Sequence, residues 1–246
     1  MPDAKRLGTI KKWSVAIMLS LIIAIFLYML CLCFPQPFFA HHVAYENLRL
    51  YSDRPVPAQA MPILGEVQRR LRRSPIYDPG VTYRVFVCND PARFAFFANF
   101  KHRVGGISYE LFRHNSFLRG ADIAHDRLIA PSGRAVPGDR TLTYFITHEI
   151  VHGVTEARTG LFRYFRLAEW VKDGYADYVA VDRFDFKGNL EKFKRGSPEM
   201  DPAGSGLYLK YHLFVAYLLD VRKIGTDDLL KGGFAAERIA AELRRL

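Results

Sequence analysis

Hydrophobic positions are distributed very unevenly along the chain. Residues 13–34, WSVAIMLSLIIAIFLYMLCLCF, run for 22 positions without a charge. At about 1.5 Å per residue a helix of that length covers roughly 33 Å, enough to cross a bilayer core. Residues 35–60 turn polar and proline-rich (PQPFF, RPVPAQAMP) and predict a linker. Beyond them the pattern becomes that of a folded domain over 61–246. Pro62 suits the first turn of a helix over 61–73. VTYRVFVC (81–88) alternates and is β-branched, which predicts a strand. Asp90 followed by Pro91 marks the start of a short helix. VGGISYELFRHNSFL suggests a bend and a strand, and ADIAHDRLIA (121–130) a further strand.

Later the period lengthens to that of helices. Leu142, Phe145, Ile146, Ile150, Val151 and Val154 form an apolar stripe. Asp139 or Thr141 can cap this helix, which runs to about Arg158 with Gly160 as its stop. A second helix is expected over about 167–183 and a third over about 207–222, separated by the loop KRGSPEMDPAGSG. A short helix is expected to end the chain. Strands first and helices afterwards predict an α+β domain.

Charge gives the apolar run a direction. Lys5, Arg6, Lys11 and Lys12 precede it, so the positive-inside rule assigns residues 1–12 to the cytoplasm and everything beyond 34 to the external or periplasmic side. The expectation is a single-pass anchor in the inner or plasma membrane. A cleaved signal peptide would have a shorter apolar core and a small-x-small site, which PQPFFAHH does not supply. The net charge is +10. Without residues 1–34, 31 basic groups stand against 24 acidic ones, a balance of +7. The cluster RRLRR (69–73) contributes to that balance, as a solvated helix face or a contact for anionic lipid. No zinc finger, nucleotide loop or RNA-binding motif is present, which disfavours nucleic acid as a partner. Two of the three cysteines, Cys31 and Cys33, lie in the apolar run, which excludes a disulfide framework in the domain.

The candidate chemistry lies in THEIVHGVTEARTGLFRYFRLAEWVKDGYADY (147–178). His148 and His152 are four apart on the apolar-striped helix and project from one face. Glu149 is turned about 100° from His148. It is therefore free to take a proton from water activated by a zinc ion on the two imidazoles. A metzincin would need a histidine at position 158, where Arg158 stands. The other common completion is an acidic residue about 20 positions on.

The downstream segment resembles that of the gluzincin metallopeptidases, the thermolysin-like and aminopeptidase-like zincins, whose H-E-x-x-H is followed by W-x-x-E-G-x-A-x-Y. Trp170, Gly174, Ala176 and Tyr178 match, twenty residues separate His152 from Asp173, and Asp173 stands where the family has glutamate. The match covers roughly residues 120–220. It implies a zincin-like domain with one Zn²⁺ held by His148, His152 and Asp173, Glu169 and Glu156 being alternative ligands. Aspartate is shorter by one methylene, about 1.5 Å, and Zn–O bonds of about 2.0–2.2 Å leave little slack. The resemblance also implies that Asp177 buttresses His148. It implies further that a tyrosine of the later helix, Tyr208 or else Tyr211, stabilises the oxyanion. The strand at 121–130 would align an extended substrate by backbone pairing.

These features imply a membrane-anchored zinc peptidase, with Glu149 as general base and peptides or proteins as substrates. The alternatives are a zincin-fold module that binds metal or a partner without turnover, and a membrane protein whose histidine pair merely packs.

Overall fold

The structure, a computed structural model, describes residues 4–101, 104–109 and 114–246, with side chains in the first helix from Lys12 onward. The chain separates into two compact units, Met1–Phe38 and Phe39–Leu246. The first is essentially helix α1 (Ala4–Cys33), within which Lys12–Cys33 has a mean hydropathy of 2.9. Its length and apolar composition suffice to cross a membrane. Lys5, Arg6 and Lys11 have side chains outside the described residues.

The second unit is α+β. Its sheet contains β1 (His41–Tyr45), β2 (Leu48–Ser52), β3 (Tyr83–Cys88), β4 (Gly106–Tyr109) and β5 (Asn115–Arg119) in the order β1-β2-β3-β5-β4. The central pairings β2–β3 and β3–β5 are parallel, and both outer strands pair antiparallel. The bend expected between β4 and β5 lies at 110–113, outside the described residues.

Alternation sorts the side chains. Leu48, Leu50, Val85, Val87 and Leu118 join the main core. Tyr51, Phe86 and Phe117 build an aromatic layer on the other face with Phe39 and with Phe97 of α3 (Pro91–Phe97). Asp90 caps α3 as expected, accepting from the amides of Ala92 and Arg93.

The expected linker is a correction. Residues 41–52 form the hairpin β1–β2, not an irregular tether. Its turn places Glu46 at φ 46°. Asn47 locks the turn to the domain, donating to the Val81 carbonyl and accepting from the Tyr77 hydroxyl. The alternation Leu48-Arg49-Leu50-Tyr51 drives pairing because Leu48 and Leu50 are almost fully buried. Prolines on both flanks obscure this short pattern in the sequence.

Helix α2 (Ala60–Leu71) covers the core face of the sheet beside α4 (Leu142–Thr159). Thr141 caps α4 by accepting from the Tyr144 amide, and Gly160, at φ 77°, ends it. The strand expected at 121–130 is a second correction. That segment is a tight hairpin, β6 (Ala121–Asp122) and β7 (Arg127–Leu128), around a 3-10 turn. Asp126, at φ 51°, accepts from the Thr143 amide at 2.7 Å, placing a carboxylate at the positive end of α4. The segment therefore anchors the motif helix.

The remaining helices are α5 (Leu161–Arg166), α6 (Glu169–Ala180), α7 (Phe186–Lys194), α8 (Pro202–Ser205), α9 (Leu209–Ala216), α10 (Thr226–Lys231) and α11 (Ala236–Arg245). Helix α6 packs between α4 and α9. A Cβ on Gly174 would lie 2.6 Å from the Tyr211 carbonyl oxygen, so only glycine lets α6 and α9 approach this closely. The third expected helix continues as a π turn over Tyr217–Val221. Within the arginine cluster 69–73, Arg69 and Arg72 stay more than half exposed in ion pairs with Glu66, Asp182 and Glu46, while the other two arginines bind backbone carbonyls. Arg70 donates to the Ala180 carbonyl, and Arg73 to those of Val179, Val181 and Asp182. They satisfy carbonyls at and just beyond the C-terminal end of α6, where cations are favoured.

Candidate metal centre

Helix α4 places Tyr144, His148 and His152 on one face at successive four-residue steps. Helix α6 brings Asp173 across from them. His148 Nε2 and His152 Nε2 are 3.0 Å apart, and Asp173 Oδ1 lies 3.4 Å from the second and 3.8 Å from the first. A point about 2.0 Å from all three atoms exists at the centre of that triangle, which is the length of zinc–nitrogen and zinc–oxygen bonds. The missing methylene of Asp173 is thus made up by the approach of α6.

Two imidazole nitrogens at 3.0 Å need either a shared hydrogen-bonding proton or a metal ion between them. A proton would serve two donors, whereas a metal ion uses all three, and the residues present fit a metal. Burial opposes charge on the Asp173 carboxyl, but hydrogen bonds to His148 and His152 outweigh it and hold the group far below the usual carboxylate range. Burial likewise opposes charge on His152, yet Asp173 and the nearby Glu149 raise its imidazole above the ordinary value. Glu156 and Glu169 line the same cleft without joining the donor cluster.

The support of His148 differs from expectation. Asp177 is buried and does not hydrogen-bond His148. Its Oδ1 accepts from the Tyr144 hydroxyl at 2.6 Å and its Oδ2 from His212 Nδ1 at 2.9 Å. Tyr144 Oη lies 3.4 Å from His148 Nδ1. The hydroxyl proton is committed to Asp177, so its oxygen accepts from Nδ1–H, which fixes the tautomer that leaves Nε2 free to coordinate. Burial first, then the Asp177 charge, pushes the Tyr144 phenol well above its ordinary pKa, so it stays a donor. His212 is held by Phe184, whose ring stacks on it at 3.6 Å. His152 has a matching partner, Tyr164, whose hydroxyl is 3.1 Å from Nδ1.

Glu149 turns away from the histidine face toward β4. Ser108 Oγ lies 2.6 Å from the Glu149 carbonyl oxygen and 3.2 Å from its Oε2. Gly106 is required here, because a Cβ would come within 2.5 Å of Leu118 Cδ2 and 2.7 Å of Glu149 Cγ. The edge strand beside the metal helix is therefore β4, not the 121–130 segment. Both the strand and the donors line a cleft of about 960 Å³. Tyr208, at the start of α9, lines it too, its ring stacked on His148 at 5.4 Å, whereas Tyr211 does not line it. Burial, reinforced by the charges of Asp173 and Glu149, raises the Tyr208 phenol far above its usual pKa and keeps it protonated.

Sequence reasoning missed Tyr144, Ser108, Gly106 and Tyr164, and left His212 without a role. Tyr144 was within reach of it, four residues before His148 on the same face. The others depend on contacts between distant elements. No protein-family model matches the chain, and no curated protein matches it.

Proposed function

We propose that the chain is a membrane-anchored zinc metallopeptidase of gluzincin type, its domain on the external or periplasmic side. The observation that carries this reading is the three-donor triangle with the Glu149 carboxylate beside it and an edge strand along the same cleft. His148, His152 and Asp173 would hold the ion, and imidazole with carboxylate is a donor set that suits zinc. When bound, zinc supplies Lewis acidity, which eases loss of a proton from water and polarises a carbonyl.

The chain's own residues supply the rest. Glu149 accepts the proton from water and returns it to the departing amine. The protonated Tyr208 hydroxyl donates to the oxygen on which charge develops. The edge of β4 offers backbone groups to an extended polypeptide. Tyr144 and Tyr164 hold the two imidazoles in their coordinating tautomers.

Glu149→Gln tests the reading. The variant should keep one metal per chain and lose hydrolysis of a peptide library by about 100- to 10,000-fold, the usual worth of a general base. Unchanged hydrolysis would refute it. One metal per chain with no turnover in the parent would leave a metal-binding interaction module instead.

A further inference from the structure

Among the described residues, the two most exposed aromatic side chains of the second unit sit together on one short helix. Phe162 and Phe165 of α5 are 86% and 70% exposed. Between and after them stand Arg163 and Arg166, both exposed and without an ion pair among the described residues. Tyr164 alone turns inward, to His152. Phe165 borders the cleft, but Phe162 does not, so a peptide lying in the cleft leaves Phe162 uncovered. Another part of the cleft rim repeats the pairing: Phe100 is 66% exposed and is followed by the exposed Lys101.

We infer that this phenylalanine–arginine lip docks on an anionic lipid surface. Aromatic rings flanked by arginines match the boundary of a bilayer, where rings enter the acyl region and guanidinium groups stay among the phosphates. The excess of 31 basic over 24 acidic groups beyond residue 34 complements such a surface. A helix apolar enough to cross a membrane in the same chain holds the domain near one at high effective concentration. The cleft then opens at the bilayer surface, and the polypeptide it receives is a juxtamembrane or lipid-attached segment. That last consequence rests on the peptidase reading; the docking does not.

The test uses the full chain carrying Trp13→Phe and Phe162→Trp, reconstituted in vesicles, with Trp170, only 7% exposed, as an invariant background. With roughly one-third anionic lipid, emission from the indole introduced on α5 should shift to the blue and be quenched by acyl-brominated lipid. Arg163→Gln and Arg166→Gln should each lower the docked-to-free ratio about five-fold. Emission identical in detergent, neutral and anionic vesicles would overturn the proposal. So would a blue shift in detergent that grows with protein concentration, which marks a second copy. A shift seen only on adding a non-cleavable peptide would assign the lip to substrate, and overturn it likewise. Because the readout needs neither metal nor turnover, repeating it with Glu149→Gln separates failure of docking from failure of the peptidase reading.

Discussion

Replacing Asp173 by glutamate restores the residue the gluzincin pattern carries, and the structure predicts that it weakens metal binding. The Asp173 carboxylate oxygen is 3.4 Å and 3.8 Å from the two imidazole nitrogens, already the spacing that three ligands of one zinc ion require. An added methylene advances the carboxylate by about 1.5 Å, to within roughly 2 Å of His152, far inside contact. Helix α6 cannot retreat to absorb it, since Gly174 already meets the Tyr211 carbonyl with no space for even a Cβ. The extra length must go into strained side-chain torsions and local overpacking, which cost about 1–3 kcal/mol. Zinc affinity should therefore fall about 5- to 150-fold, at 1.4 kcal/mol per factor of ten. Competition against a chromophoric chelator measures this directly, with thermal melts of the metal-free proteins as a control for folding. Glutamate binding zinc as tightly as aspartate would refute the argument that the approach of α6 is matched to the shorter side chain.

Other consequences follow from the same geometry. Tyr144→Phe removes the hydroxyl between Asp177 and His148, and should weaken zinc affinity about 10- to 100-fold, read as faster loss of metal to a chelator. Gly106→Ala drives a methyl into Leu118 and Glu149; it should cost about 1–3 kcal/mol in denaturant melts and, on the proposed peptidase reading, lower hydrolysis further than the stability loss explains. Arg73→Ala frees the carbonyls of Val179, Val181 and Asp182 and should destabilise the domain by about 1–2 kcal/mol, while metal affinity stays within about two-fold of the parent.

Much of the metal helix was legible before any coordinates. The positions of His148, Glu149 and His152 on α4, a cap at Asp139 or Thr141 and its stop at Gly160 follow from helical period and capping chemistry, which act over a few residues. Asp173 was readable only through its place in the segment 170–178. The edge strand was assigned to the wrong segment because β4 is only four residues long, leaving almost no alternation to detect. The linker reading failed at 41–52 for a related reason: pairing with β3, some thirty residues away, decides that segment.

The sequence by itself determined what is local: an apolar helix long enough to cross a bilayer, a capped helix with two histidines and a glutamate at fixed angles, and strands preceding helices. Only the tertiary structure decided distances between elements. It brings Asp173 to within ligand spacing despite a missing methylene, inserts Tyr144 between Asp177 and His148, and sets Ser108 against Glu149. Helical geometry fixes angles within one element, but reach across elements depends on how closely backbones pack, and that is set by residues such as Gly106 and Gly174 meeting partners far away in the chain.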